Sequence, residues 1–261
     1  MKIDTITCSD PREDTSPEKL VAFMNEFPNV EVAVQASPDK IGPGTPRRAW
    51  FEQLLHLVRN NPVPLKLAMH VNMWYCDRMC MGQIPQGLRE WFNARRVNDM
   101  PVIRRWQINY SGSKTQVFDP GAIAEMIINH PNHEFIMQHN PQSDARNVWP
   151  TIRRETYRVG RLYWLPLCPV ISVLYDASSG NGKSPEQWLP PYEWHNTGYS
   201  GGLRPENVMD ALHKIAAVAG DAHIWIDAEG GLKTPGTKTF DIERARRYVL
   251  AANWWNKQFS R

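Results

Sequence analysis

Apolar and polar positions alternate along this chain in two rhythms. Eight short runs rich in β-branched residues read as strands: KIDTIT (2–7), VEVAVQ (30–35), LKLAMHV (65–71), IRRWQIN (103–109), EFIMQ (134–138), VISVLY (170–175), TGYS (197–200) and HIWID (223–227). Between them the period lengthens to that of an amphipathic helix. In RRAWFEQLLHLVRN, Trp50, Leu54, Leu55 and Val58 share one face. PEKLVAFMNEF, LREWFNARR, AIAEMIINH, ENVMDALHKIAAVAG and DIERARRYVLAANWW repeat the pattern. A fifth helix falls less clearly near 144–158, and a proline-broken segment follows the sixth strand.

Strands alternating with helices imply βαβ units and a parallel sheet. Eight such units in about 250 residues imply an α/β fold of one domain, a (β/α)8 TIM barrel over 1–261. An open doubly wound sheet is the rival, and it wants a glycine-rich turn after its first strand. The segment TCSDPRED after the first strand contains no glycine.

Composition adds limits. The chain has 261 residues, 42% hydrophobic and 22% charged, as in ordinary globular proteins. A net charge of +3 gives no reason to expect nucleic acid as a partner. There is no apolar run of about 18 residues, so no membrane span is expected. MKIDTITCSD lacks the apolar centre of a secretory leader. Together with the few cysteines, this makes the cytoplasm the expected location. Cys76 and Cys80 sit in WYCDRMCMGQ, where a radical iron–sulfur site would want a third cysteine at the position of Gln83. They read as buried thiols. No HExxH pair occurs. No metal and no cofactor are expected.

The string ASSGNGKS (177–184) fits a permissive phosphate-loop pattern. That pattern needs a helix starting at its Lys-Ser. Here Pro190 and Pro191 stop any helix within two turns of Ser184. Lys183 therefore reads as a surface residue, and Asp176, at the end of the sixth strand, becomes the more interesting one.

Two Gly-Gly turns follow downstream, in YSGGLRPENV (199–208) and IDAEGGLKTPGTKTFDIERARRYV (226–249). With DASSGNGKSPEQW (176–188) they form loops after strands six, seven and eight. In barrels the last two commonly hold phosphate on backbone N–H groups. The three loops resemble those of phosphoribosylanthranilate isomerase, a barrel of the ribulose-phosphate-binding superfamily that serves tryptophan biosynthesis. The match at 199–208 is nearly letter for letter. In the third loop Asp227, Gly230, Pro235, Gly236, Lys238 and Asp241 keep step. The first loop is one residue short but ends in Trp188. In the N-terminal half, KIDTIT puts Asp4 where that family has a cysteine base. TPRRAWFEQ (45–53) puts Arg47 where the family's arginine binds a carboxylate. QINY (107–110) departs from the family, and HVNMWYCDRMCMGQIP has no counterpart in it. The resemblance is specific over about 170–250, the phosphate-binding half.

The resemblance implies an Amadori rearrangement of a phosphorylated aminoaldose, without cofactor. Asp176 is the expected acid and Asp4 the expected base. Arg47, Gly201, Gly202, Gly230 and Gly231 are expected to bind substrate. Cys8 is a rival base, Asp227 reads as structural, and Trp74 and Trp106 could stack on a ring. The expected partner is a small phosphorylated sugar, with the chain a monomer or homodimer. Eleven tryptophans are a costly composition for an enzyme needed when tryptophan is scarce. A diverged, non-catalytic barrel that binds a phosphosugar or nucleotide is therefore the alternative.

Overall fold

The structure is a computed structural model that describes residues 1–110, 117–140, 151–152, 154–155, 158, 171–176, 182–192 and 196–259. All eight expected strands form: β1 (Lys2–Ser9), β2 (Val30–Ala36), β3 (Lys66–Val71), β4 (Ile103–Ile108), β5 (Glu134–His139), β6 (Ile171–Asp176), β7 (Thr197–Ser200) and β8 (His223–Ala228). They pair in parallel in sequence order, and β8 returns to β1 to close the barrel.

The described helices are α1 (Pro17–Glu26), α2 (Pro38–Ile41), α3 (Pro46–Asn60), α4 (Met73–Cys80), α5 (Arg89–Phe92), α6 (Pro120–Asn129), α7 (Val208–Ala219) and α8 (Ile242–Phe259). Three of them start by the same device. Ser16, Thr45 and Asp119 each accept a hydrogen bond from the backbone N–H three residues on, and a proline follows at the first helical position. The cap satisfies an orphan donor, and proline has no N–H there to leave unpaired. The sequence gives no warning of α4, whose N-cap Asn72 makes no side-chain capping bond. The fifth helix expected near 144–158 lies mainly outside the described residues. No helix among the described residues is long and apolar enough to cross a membrane.

Strand alternation divides the core in two. The outward faces carry residues such as Ile6, Val32, Met69, Trp106, Phe135, Val173 and Ile226, which pack under the helices as one large cluster. Inside the barrel, Ile136, Leu174 and Trp225 form a separate apolar cluster. Gly198 on β7 makes it possible: a Cβ there would lie 2.1 Å from the Trp225 ring. Below this plug, Arg105 bridges Glu31 at 2.7 Å and Glu134 at 3.3 Å. Its guanidinium lies 4.1 Å from the Trp225 ring centroid. Above the plug, the inward side chains are polar up to the mouth.

Candidate functional site

The strand ends on the C-terminal side enclose a cavity of about 700 Å³. Active sites of this fold lie on that side because the loops there are free to vary while the strands hold them rigidly.

Two inward carboxylates enter the cavity. Asp176 is the last residue of β6, buried, and accepts a hydrogen bond from Gln138 Nε2 of β5 at 2.6 Å. Asp227 is the inward residue two places after Trp225 on β8, and accepts from Ser9 Oγ of β1 at 2.5 Å. Burial pushes the Asp227 carboxyl up to about 8, helped by the charges of Glu229, Glu31 and Asp176 and opposed by the Ser9 bond. At neutral pH Asp227 is mostly protonated and can donate a proton.

Around the carboxylates stands a set of amides. Gln107 Nε2 donates to Asn109 Oδ1 at 2.8 Å, and Asn109 Nδ2 donates to Asn72 Oδ1 at 2.9 Å. Gln107 Oε1 is buried without a hydrogen-bond partner among the described residues. A ligand donor meeting it would remove that cost. Burial pushes the His70 imidazole down to about 3, aided by repulsion from Arg105, so a neutral ring faces the cavity. Lys233 is the one cation among the described lining residues, and it is held by Asp10 at 2.9 Å and Glu229 at 3.2 Å. A lining of amides, carboxylates and a neutral imidazole suits a polyhydroxylated ligand.

The Gly-Gly turns line the cavity as expected. Gly201 and Gly202 have φ of 120° and 63°, which side chains rarely adopt. A Cβ on Gly202 would lie 2.6 Å from the carbonyl oxygen of Gly182, and one on Gly231 would lie 2.1 Å from that of Leu203. These two glycines let the three loops pack backbone against backbone. A Cβ on Gly230 meets nothing within 4 Å. None of the N–H groups of Gly201, Gly202, Gly230 and Gly231 has a hydrogen-bond acceptor among the described residues.

Five expectations need correction. Asp4 is not in the mouth. It sits at the start of β1, half exposed, and pairs with Lys2 at 3.7 Å and His223 at 2.8 Å. The part of β1 that pairs beside Asp227 is Thr7, not Asp4. Five steps along the strand separate Asp4 from Ser9, roughly 16 Å at about 3.3 Å per residue. Asp4 and Asp176 therefore lie at opposite ends of the barrel.

Arg47 does not line the cavity. It is buried, donating to Glu13 Oε2 at 2.9 Å and Asp10 Oδ1 at 3.3 Å. Asp10, in turn, has φ of 62° and receives Arg12 and Lys233 as well. Burial acts to raise its carboxyl, but Lys233 and Arg12 outweigh that and hold it below the usual range. Arg47 thus belongs to a buried ion cluster that fixes the loop after β1.

Cys8 points outward into the helix-packed core, and burial raises its thiol far from ionisation, so it cannot be a base for the mouth. Trp106 is likewise packed outward, against Phe92 and bonded to His133. Trp74 is exposed under Arg78 and does not line the cavity. Cys76 and Cys80 are buried thiols on α4, with their sulfurs 3.8 Å apart. Residues 182–192 contain no helix, so the phosphate-loop pattern lacks the element it requires; residues 177–181 lie outside the described residues.

No protein-family model and no curated protein matches the chain. Among solved structures, the fold is similar to that of a putative spore coat polysaccharide biosynthesis protein E from Chromobacterium violaceum ATCC 12472. The TM-score is 0.51 at 11% identity, over 98% of this chain and 76% of that one. At that identity the likeness speaks for the fold alone. Fold and lining together define a (β/α)8 barrel with a polar, carboxylate-bearing mouth.

Proposed function

We propose that the chain is an aldose–ketose isomerase of the Amadori type, acting on a phosphorylated aminoaldose, with Asp227 and Asp176 as its proton-transfer pair. The observation that carries this reading is that two carboxylates enter one cavity from β6 and β8, and one of them is held protonated by burial. Pairs of acids whose environments differ in this way divide acid and base roles between them.

In this mechanism Asp227 gives its proton to the ring oxygen as the C1–O bond breaks and the nitrogen lone pair forms the C1=N iminium. Asp176 takes the proton from C2, and that electron pair becomes the C1=C2 bond of an enolamine. Tautomerisation to the ketone completes a redox-neutral isomerisation. The role of Asp4 passes to the mouth carboxylates, and Asp176 changes from acid to base. The amides of Gln107, Asn109 and Gln138 offer hydrogen bonds to sugar hydroxyls. The N–H groups of Gly201, Gly202, Gly230 and Gly231 offer them to the phosphate.

Rescue of a strain lacking phosphoribosylanthranilate isomerase, and turnover of that substrate by the purified protein, test the strict form. Failure of both removes it. A second reading is a phosphosugar-binding barrel without catalysis. It is favoured by the engagement of Arg47 with Asp10 and Glu13, which leaves the family's carboxylate-binding arginine without its function. That reading expects phosphosugars to stabilise the fold while Asp176→Asn changes no turnover.

A further inference from the structure

The barrel has a second cavity, of about 520 Å³, at the opposite end from the mouth. The plug of Ile136, Leu174 and Trp225 separates the two: Leu174 lines the mouth and Trp225 lines the base. We propose that this base cavity is a second ligand site, for a small organic anion carrying a carboxylate or phosphate beside an apolar body.

The charge balance points that way. Four cations line the cavity, Lys66, Arg96, Arg104 and Arg105, against the three carboxylates Asp4, Glu31 and Glu134. Those carboxylates are already engaged. Glu31 accepts from Thr7 and Arg105, Glu134 accepts from Ser172 and pairs with Arg105, and Asp4 faces His223 and Lys2. Of these cations, only Arg105 forms ion pairs among the described residues. Lys66 donates to the Thr5 hydroxyl at 3.3 Å and forms no ion pair among the described residues. Arg96 is bound by the carbonyl oxygens of Val58 at 2.8 Å and Leu65 at 2.5 Å, which leaves its charge uncompensated. Arg104 forms no ion pair among the described residues and is exposed.

A second, independent feature is the indole of Trp225. It is 3% exposed, and its Nε1 has no hydrogen-bond acceptor among the described residues. Buried donors are normally paired, and leaving one unpaired costs stability. An anion seated near Lys66 and Arg104 supplies the missing charge, beside the indole that lines the same cavity. Burial, with repulsion from Arg105 and Arg104, lowers the Lys66 ammonium despite Glu31 and Asp4, and an anion would reverse that. The remaining walls include Pro64, Leu67, Met100, Val102 and Ile224, so there is apolar surface for a body larger than the head group.

The test follows the Trp225 indole N–H resonance of the full chain by NMR at low salt, assigned by its disappearance in Trp225→Phe. Inorganic phosphate and benzoate are the two probes, and they distinguish the head groups. A saturable shift with either one is expected, and the double variant Lys66→Gln/Arg104→Gln should weaken binding by roughly tenfold or more, as loss of charge-assisted bonds does. Asp176→Asn, at the mouth, should leave the titration unchanged. The proposal is overturned if neither probe gives a saturable shift, or if the double variant binds as the wild type does. It is also overturned if Asp176→Asn alone abolishes the shift, which would place the anion in the mouth. Because the readout and the double variant are both at the base, these results do not depend on whether the mouth is an isomerase.

Discussion

Ser9 and Asp227 join the two ends of the barrel seam: the hydroxyl from β1 donates to a carboxyl on β8, 218 residues away in sequence. That bond favours the ionised carboxylate, yet burial prevails and the proton stays on Asp227 to about pH 8. The folded chain therefore holds a proton that the unfolded chain loses near the ordinary value of 3.8. Because the folded state binds more protons in between, stability falls as pH rises from about 4 to about 8 and is level above that. Asp227→Asn removes this contribution. Its thermal midpoint, measured from pH 5 to pH 8, should rise relative to the wild type as pH increases. A constant difference between the two proteins would contradict the raised carboxyl.

Under the proposed reaction, Asp176→Asn should lower turnover by roughly 10²–10⁴-fold, the usual contribution of a positioned acid or base. The circular dichroism spectrum should be unchanged, since asparagine still meets Gln138. Turnover by the wild type should fall above about pH 8, as Asp227 loses its proton. Stopped-flow detection of product over pH 5 to 10 reads both effects.

The neighbouring glycines Gly230 and Gly231 should behave oppositely. Gly231→Ala drives a Cβ into the Leu203 carbonyl oxygen and the Arg204 side chain. It should cost about 1–3 kcal/mol by urea unfolding, as overpacking does. Gly230→Ala meets open space and should leave stability unchanged. If the proposed phosphate seat is there, Gly230→Ala should still raise KM, because the added methyl narrows the approach to the backbone.

Asp10→Asn isolates charge from shape, since asparagine tolerates a φ of 62° better than most residues. Breaking a buried ion pair costs about 3–5 kcal/mol. The loss here should lie at the lower end, because Arg47 keeps Glu13 and Lys233 keeps Glu229. Chemical denaturation reads it, and a loss under about 0.5 kcal/mol, the level of an ordinary surface substitution, would mean that the cluster does not hold the loop.

The fold was legible because strand and helix periods differ and the eight strand runs are rich in β-branched residues. The site was legible only in part. Asp176 and the four glycines carry their position in the chain, at strand ends and turns, and all five line the mouth. Asp4 was misplaced because a partial likeness at the start of β1 outranked a simple count: the third residue of an eight-residue strand lies near its entry. Arg47 was misjudged because its partners, Asp10 and Glu13, lie in a loop whose path no local pattern specifies. Asp227 reads as structural from the sequence, although alternation in HIWIDA sets it on the same face as Trp225. What alternation does not reveal is burial deep enough to hold a proton. Helix α4 was missed because its cap is silent and Met73 enters it at φ 53°.

The close approach of Gly202 to residues 182–184 and of Gly231 to residues 203–204 ties the rim after β6, β7 and β8 into one body. Loops packed backbone to backbone in this way cannot shift singly, because a displacement of one is passed to the next.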